Sequence, residues 1–286
     1  MIVAPGYGKG EINVSRVAAI QMNSSSRVQS NLDSAARLIE QAAESGAGLI
    51  VLPENFALMP RRENDRRQVA ERLGAGPIQE FLSGQAAASG VHLVGGTIPL
   101  VAGDGDRLNA SCLVFGPDGR RLARYDKIHL FDVAVNESEA YKESDYFQPG
   151  EPGSENNVCI DVPAGTVGLT ICYDVRFPEL YRRLSSLGAT VFTVPSAFTA
   201  TTGQAHWEVL LRARAIENQA YVIAPGQCGI HDNGRETYGH SMLIDPWGRV
   251  LAGLNDEPEG VVIADIEQNM LDSVRRHFPS LKHRRL

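Results

Sequence analysis

No stretch of this sequence reaches about 18 consecutive apolar residues, so a hydrophobic helix crossing a bilayer is not expected. Cysteine is sparse. The four present, Cys112, Cys159, Cys172 and Cys228, form no CxxC pair and accompany no histidine pair at zinc-finger spacing. A disulfide framework is therefore not expected, nor is a metal or other cofactor, and a reducing compartment is the simpler setting. A basic stripe is also missing. Lys and Arg number 27 against 34 Asp and Glu, a net charge of -7 at pH 7, which argues against a nucleic-acid partner. The opening residues, MIVAPGYGKGEIN, lack the basic segment and apolar run of a secretory signal. Residues 1–13 are expected to form a loosely ordered lead-in, and residues 14–286 a single cytoplasmic domain.

What is present is an ordinary globular composition, 43% hydrophobic and 21% charged over 286 residues. A chain of that length buries about three quarters of its unfolded surface. Short apolar runs alternate with helical patterns. Strands are predicted at 16–22 (RVAAIQM), 49–52 (LIVL) and 92–100 (HLVGGTIPL), and at 109–115 and 120–125 around a Pro-Asp-Gly turn. A helix follows Asn31, which is placed to cap it, and another opens at Gly76-Pro77. The polar, turn-rich segment 131–154 reads as a long loop, and such loops inside compact domains usually serve function. Further strands are predicted at 158–162, 167–171, 190–194, 221–225, 241–244 and 260–266, with helices at 177–187 and 205–219. This order predicts one α/β domain with helices covering the sheets.

Three residues stand where chemistry is done. Cys172 ends a strand and precedes a proline-started helix, the setting of a nucleophile exposed on a sharp turn. Ligands in α/β sheets gather at such carboxyl ends of strands. The other three cysteines read as small buried apolar residues. Glu54 ends the strand LIVL. Burial would raise its pKa and suit it to general-base work, although a salt-bridge or capping role is the commoner use of such a residue. Lys127 follows the second arm of the hairpin and could hold an oxyanion, although a lone lysine is ordinarily solvated. Glu143 in the long loop would by itself read as a surface charge, and His129 and His206 as structural.

These residues sit in three motifs: LPEN at 52–55, YDKIHLFD at 125–132 and ICYDVRFPEL at 171–180. Together they resemble the nitrilase superfamily of carbon–nitrogen hydrolases. The likeness continues through PSAF at 195–198, TGQAHWEVLLRARAIENQ at 202–219 and YGHSMLIDPWG at 238–248. The resemblance implies a four-layer α-β-β-α sandwich. It implies Glu54 as general base, Lys127 as oxyanion and proton partner, Cys172 as nucleophile, and Glu143 as a supporting carboxylate. The Tyr173 amide would be a second oxyanion donor. The reaction implied is cleavage of a linear carbon–nitrogen bond through a thioester on Cys172, releasing ammonia, with no metal.

Within the superfamily the PSAF and YGHSM segments resemble the deaminated glutathione amidase branch, a metabolite-repair activity. The alternatives are an ω-amidase acting on 2-oxoglutaramate, where PGAF is expected in place of the segment containing Ser196, or another aliphatic or carbamoyl amide hydrolase. A carboxylate-bearing substrate needs a cation, for which Arg176 is best placed. Thr199 and Thr202 could add hydroxyls. A silent scaffold would not need all four active-site residues, and a thiol redox sensor would need a resolving cysteine close to Cys172. The resemblance also implies at least a homodimer, joined through the helices at 177–187 and 205–219.

Overall fold

The computed structural model describes residues 14–103, 107–137, 139–151, 153, 158–255 and 258–285. The expected lead-in, residues 1–13, lies outside the described residues. In chain order the first strands are β1 (Val14–Gln21), β2 (Leu49–Val51), β3 (His92–Val94), β4 (Ile98–Val101), β5 (Leu108–Phe115) and β6 (Arg121–Asp126). A hairpin of β7 (Asp132–Ala134) and β8 (Ala140–Lys142) follows. The second half carries β9 (Cys159–Val162), β10 (Gly165–Leu169), β11 (Val191–Thr193) and β12 (Tyr221–Ala224). It ends with the hairpin β13 (Cys228–Ile230) and β14 (Glu236–Tyr238), then β15 (Met242–Ile244), β16 (Val250–Gly253) and β17 (Gly260–Glu267). The long helices are α1 (Val28–Glu44), α2 (Pro77–Ser89), α3 (Pro178–Ser186), α4 (Ala200–Asn218) and α5 (Gln268–His277).

Two sheets result. One runs β17-β1-β2-β3-β5-β4 with β6 beside β5, and the other β16-β15-β12-β11-β10-β9. Alternation along the strands shows how they stack. Val17 and Ala19 of β1 point into the cluster that also holds Val167 and Leu169 of β10. Ala18 and Ile20 point the other way, among Leu38 and Ile39 of α1 and Ile78 and Leu82 of α2. Each sheet is covered on both faces, which is why its central strands read as continuous apolar runs rather than alternating ones. The architecture is an α-β-β-α sandwich, as the resemblance implied. The last strand closes the first sheet: β17 pairs antiparallel with β1 from Val14↔Glu267 to Gln21↔Gly260.

Four local expectations are corrected. Asn31 is not a helix cap, because α1 begins at Val28. Its side chain is buried, accepting from the Ser25 amide at 2.8 Å and donating to the Ser25 and Ala57 carbonyls. The predicted strand 92–100 is two strands, broken at Gly95-Gly96. Gly96 has φ +54°, and a Cβ there would overlap the Pro53 carbonyl, so the chain turns where it passes beside the end of β2. The segment 131–154 is not loop throughout, because it contains the β7–β8 hairpin. The helix expected from 205 starts five residues earlier, at Ala200. Its cap is Thr199, whose hydroxyl accepts from the Thr202 amide at 3.3 Å.

Candidate active site

β2 lies between β1 and β3, parallel to both, and points its carboxyl end at the rim of the sandwich. Leu52-Pro53 carries the chain past that end to Glu54, which is 5% exposed. The next residue, Asn55, turns the chain through the left-handed region at φ 58°. In the second sheet, β10 stops at Leu169, and Cys172 opens a 3₁₀ turn through Arg176 before Pro178 starts α3. Cys172 has φ 46°, a conformation that costs a non-glycine residue of order 1–3 kcal/mol. This is the strained elbow expected from the strand-turn-helix pattern. The Cys172 amide donates to the Pro195 carbonyl beyond the end of β11, at 2.9 Å, which fixes the turn against the sheet. Lys127 follows directly after β6, its amide tied to the Ala110 carbonyl at 3.0 Å.

These three distant stretches meet. Lys127 Nζ lies 2.9 Å from Glu54 Oε1, and 3.0 and 2.8 Å from the two Glu143 oxygens. Glu54 Oε2 accepts from the Ala197 amide at 2.8 Å. The Cys172 thiol lies beside Glu54 and the Ala197 backbone, close enough for both to act on its charge. Glu143 is anchored in turn by the Phe131 amide at 2.7 Å. Lys127, ordinarily a solvated type of residue, is only 2% exposed.

Charge explains the arrangement. Burial alone would raise the Glu54 pKa, as expected from sequence, but the Lys127 ammonium and the bonds from Lys127 and Cys172 outweigh it. The carboxyl therefore sits below its ordinary value, and the expected net upward shift is corrected. Burial pulls the Lys127 pKa down, yet the charges of Glu143 and Glu54 win and it stays protonated. Burial and the Glu54 charge push the Cys172 thiol well up, with Lys127 only partly offsetting them. The resting group is thus a thiol beside a carboxylate, not a free thiolate.

A brace joins the lysine strand to the elbow. Asp174, fully buried, accepts from Tyr125 at 2.7 Å, from the Ile171 amide at 2.8 Å, and from the His129 amide at 3.2 Å. The His129 ring lies 2.7 Å from the same carboxylate and stacks on Phe177 with centroids 3.6 Å apart. His129 thus joins the brace through both its amide and its ring. His206 contacts the Arg176 guanidinium at 3.2 Å.

A cavity of about 340 Å³ opens over the Cys172 thiol. Of the residues expected to meet substrate, Tyr173, Arg176, Thr199 and Thr202 line it. Ser196 does not: it is fully buried and donates to the Val194 carbonyl at 3.0 Å. Thr199 and Thr202 bond each other at 2.8 Å as part of the α4 cap. Sequence reasoning did not single out Arg66, Arg235, Tyr141 and Phe198, which also line the walls. Phe198 closes the PSAF segment; nothing marks the other three in the sequence, because each is an ordinary surface-type or core-type residue until the loops fold over. The remaining cysteines lie elsewhere. Cys112 and Cys228 are buried, and Cys159 is half-buried against the core.

Fold and site together define a hydrolase of carbon–nitrogen bonds built on the nitrilase sandwich. The chain belongs to the carbon-nitrogen hydrolase family, whose model matches residues 16–276. It is 46% identical over 268 residues to the deaminated glutathione amidase of Synechocystis sp., covering 93% of this chain and 97% of that one. It is 39% identical over 270 residues to the omega-amidase NIT2 of Danio rerio, covering 94% of each. Among solved structures, Saccharomyces cerevisiae Nit3, a member of branch 10 of the nitrilase superfamily, superposes with a TM-score of 0.84 at 33% identity, covering 96% of this chain and 97% of that one. Among the described residues no helix is long and apolar enough to cross a membrane.

Proposed function

We propose that this protein hydrolyses small carboxylate-bearing amides of the deaminated glutathione type through a thioester on Cys172. The observation that carries the reading is the convergence of Glu54, Lys127 and Cys172, with the thiol close enough to feel the carboxylate charge and the ammonium 2.9 Å from that carboxylate.

The chemistry follows from the charges. Glu54 takes the thiol proton as sulfur attacks the amide carbon, which the raised thiol pKa requires. The tetrahedral oxyanion is held by the Lys127 ammonium and the Tyr173 amide. That amide lies in the first turn of the 3₁₀ helix, where backbone donors lack intrahelical partners. Preorganised donors of this kind are typically worth roughly 3–4 kcal/mol each. The carbon–nitrogen bond then breaks, and Glu54 returns its proton to the departing nitrogen. Water attacks the thioester with Glu54 taking a proton, and collapse of the second intermediate returns that proton to sulfur and frees the acid. Glu143 keeps Lys127 in place and charged. For an ω-amide the leaving group is ammonia. Glutathione's amide bonds join amino acids, so for its deaminated form the leaving group is an amine.

The identity to deaminated glutathione amidases, and Arg176 in the cavity wall, support the substrate class. An ω-amidase role on 2-oxoglutaramate is the second reading, favoured by the likeness to omega-amidase NIT2. Deaminated glutathione, 2-oxoglutaramate and simple aliphatic amides, assayed side by side for amine or ammonia release, decide between them. Deaminated glutathione is expected to give the highest kcat/KM. Turnover of the aliphatic amides alone would refute the substrate assignment.

A homodimer is part of the proposal. Val209 and Ile216 of α4, 68% and 49% exposed, and Leu187 just beyond α3, 51% exposed, put apolar surface on the helical layer beside the site. Sedimentation at micromolar concentration is expected to give about twice the chain mass, and Val209→Glu to shift it toward the monomer. A monomer mass at every concentration would refute this part.

A further inference from the structure

Cavity residues that carry charge are mostly paired with one another. Arg66 bonds Glu63 at 2.8 Å, Lys142 bonds Asp145 at 2.8 Å, and Lys127 bonds Glu54 and Glu143. Two cations of the wall, Arg176 and Arg235, have no carboxylate partner among the described residues. Two unneutralised guanidinium groups on a small cavity match an amide carrying two anionic groups, not one.

The two arginines come from different elements. Arg176 comes off the elbow itself, four residues after Cys172, and its guanidinium lies over the Phe198 ring at 5.2 Å. Arg235 comes from the turn between β13 and β14, and lies over the Tyr141 ring at 4.8 Å. That ring fixes the guanidinium plane. The group's single hydrogen-bond acceptor among the described residues is the Ala197 carbonyl, and Arg235 Nε is buried without a partner. That unpartnered donor adds to the cost of holding this guanidinium without a counter-charge.

Position assigns the side. Residue Ala197 lies between Arg235 and Glu54, because its carbonyl accepts from Arg235 and its amide donates to Glu54 Oε2. The Arg235 charge also helps hold the Glu54 carboxyl down. Glu54 must protonate the departing nitrogen, so the leaving group lies on the Glu54 side of the cavity, which is the side of Arg235. We infer that Arg235 is a specificity-determining residue that binds a carboxylate on the leaving amine, while Arg176 takes the anionic group of the acyl part. This rests on the amidase reading above and narrows it to amides that are anionic on both sides of the scissile bond.

The test uses two amides with the same 4-carboxy-4-oxobutanoyl acyl group, one with glycine as the leaving amine and one with methylamine. The readout is the ratio of their kcat/KM values in the full-length protein. Any loss that Arg235→Met inflicts on Glu54 through Ala197 strikes both substrates and cancels in the ratio. The glycine-to-methylamine ratio is expected to fall between about 10-fold and 100-fold, the range of one charged hydrogen-bonded contact. Arg235→Lys should recover part of that ratio, because it restores the charge without the planar fork. Arg235→Gln, which can still donate to Ala197, replaces Arg235→Met if that variant does not fold. A ratio within twofold of wild type in the uncharged variant, with both substrates hydrolysed, overturns the assignment of Arg235 alone. Wild-type protein that hydrolyses neither substrate overturns the amidase reading, and this inference with it.

Discussion

Cys172→Ala is expected to lower amide hydrolysis by at least about 10⁴-fold while leaving a folded protein. Removing a nucleophile usually costs that much or more, because the base and oxyanion donors then have nothing to act with. Truncation removes one sulfur atom from a residue only 7% exposed, and a small core deletion of this kind costs about 1 kcal/mol. The left-handed backbone at φ 46° burdens alanine as it burdens cysteine, so the elbow gains no new strain. Initial rates on the preferred amide, thermal melting, and intact-protein mass after rapid acid quench test this together. Wild type should show a mass increase matching the acyl group, and Cys172→Ala none. Cys159→Ser is the control, since Cys159 lies against the core away from the cavity, and its rate should stay within about twofold. An active Cys172→Ala protein would sink the thioester mechanism.

Lys127→Met should damage stability and activity at once, and the two effects can be separated. The ammonium sits between Glu54 and Glu143, whose side chains are 6% and 17% exposed. Removing it leaves two carboxylates facing each other with little solvent, and breaking a buried pair this way costs about 3–5 kcal/mol. The acid behaviour should also change sign. In wild type the Glu54 carboxyl is lowered, so its contribution to stability is present above the unfolded carboxylate value and lost as pH falls through the folded one. Without Lys127, burial raises it instead, and that carboxyl then favours the folded state only in acid. Denaturant midpoints from pH 4 to 8 should therefore show the Lys127→Met deficit shrinking as pH falls. Lys127→Met/Glu143→Gln should recover part of the stability at neutral pH, because one of the facing charges is gone. It should recover none of the activity, which is expected to stay at least about 10³-fold down for want of an oxyanion donor and an ionised base. Recovery of activity in the double variant would show that Lys127 acts only as a structural counter-ion.

Much of this was legible from the chain alone. Strand-ending positions placed Glu54 and Cys172 at the rim, because a run of apolar residues stopped by Pro-Glu, or by Cys before a Pro-started helix, leaves little other local geometry. Local reading failed where the backbone answers to distant partners. The run at 92–100 looked like one strand, but Gly96 must clear the Pro53 carbonyl, contributed from some forty residues away. Asn31 had the chemistry of a cap, yet Ser25 and Ala57 offered its amide a buried site. Ser196 lay in a promising segment, but its hydroxyl turned to the Val194 carbonyl.

By itself the sequence determined the alternation of strand and helix, an α/β domain with helices over its sheets, and the residue types able to perform thiol-dependent amide hydrolysis. These are properties of neighbouring residues and of period, so they survive without coordinates. The tertiary structure alone decided that Lys127 is buried between two carboxylates, that this pairing lowers the Glu54 pKa instead of raising it, and that Arg235 reaches the cavity from a hairpin more than sixty residues past the elbow. Each of these depends on charges and donors brought together from separate strands. Their energies depend on distance and burial, which the order of residues along a chain does not contain.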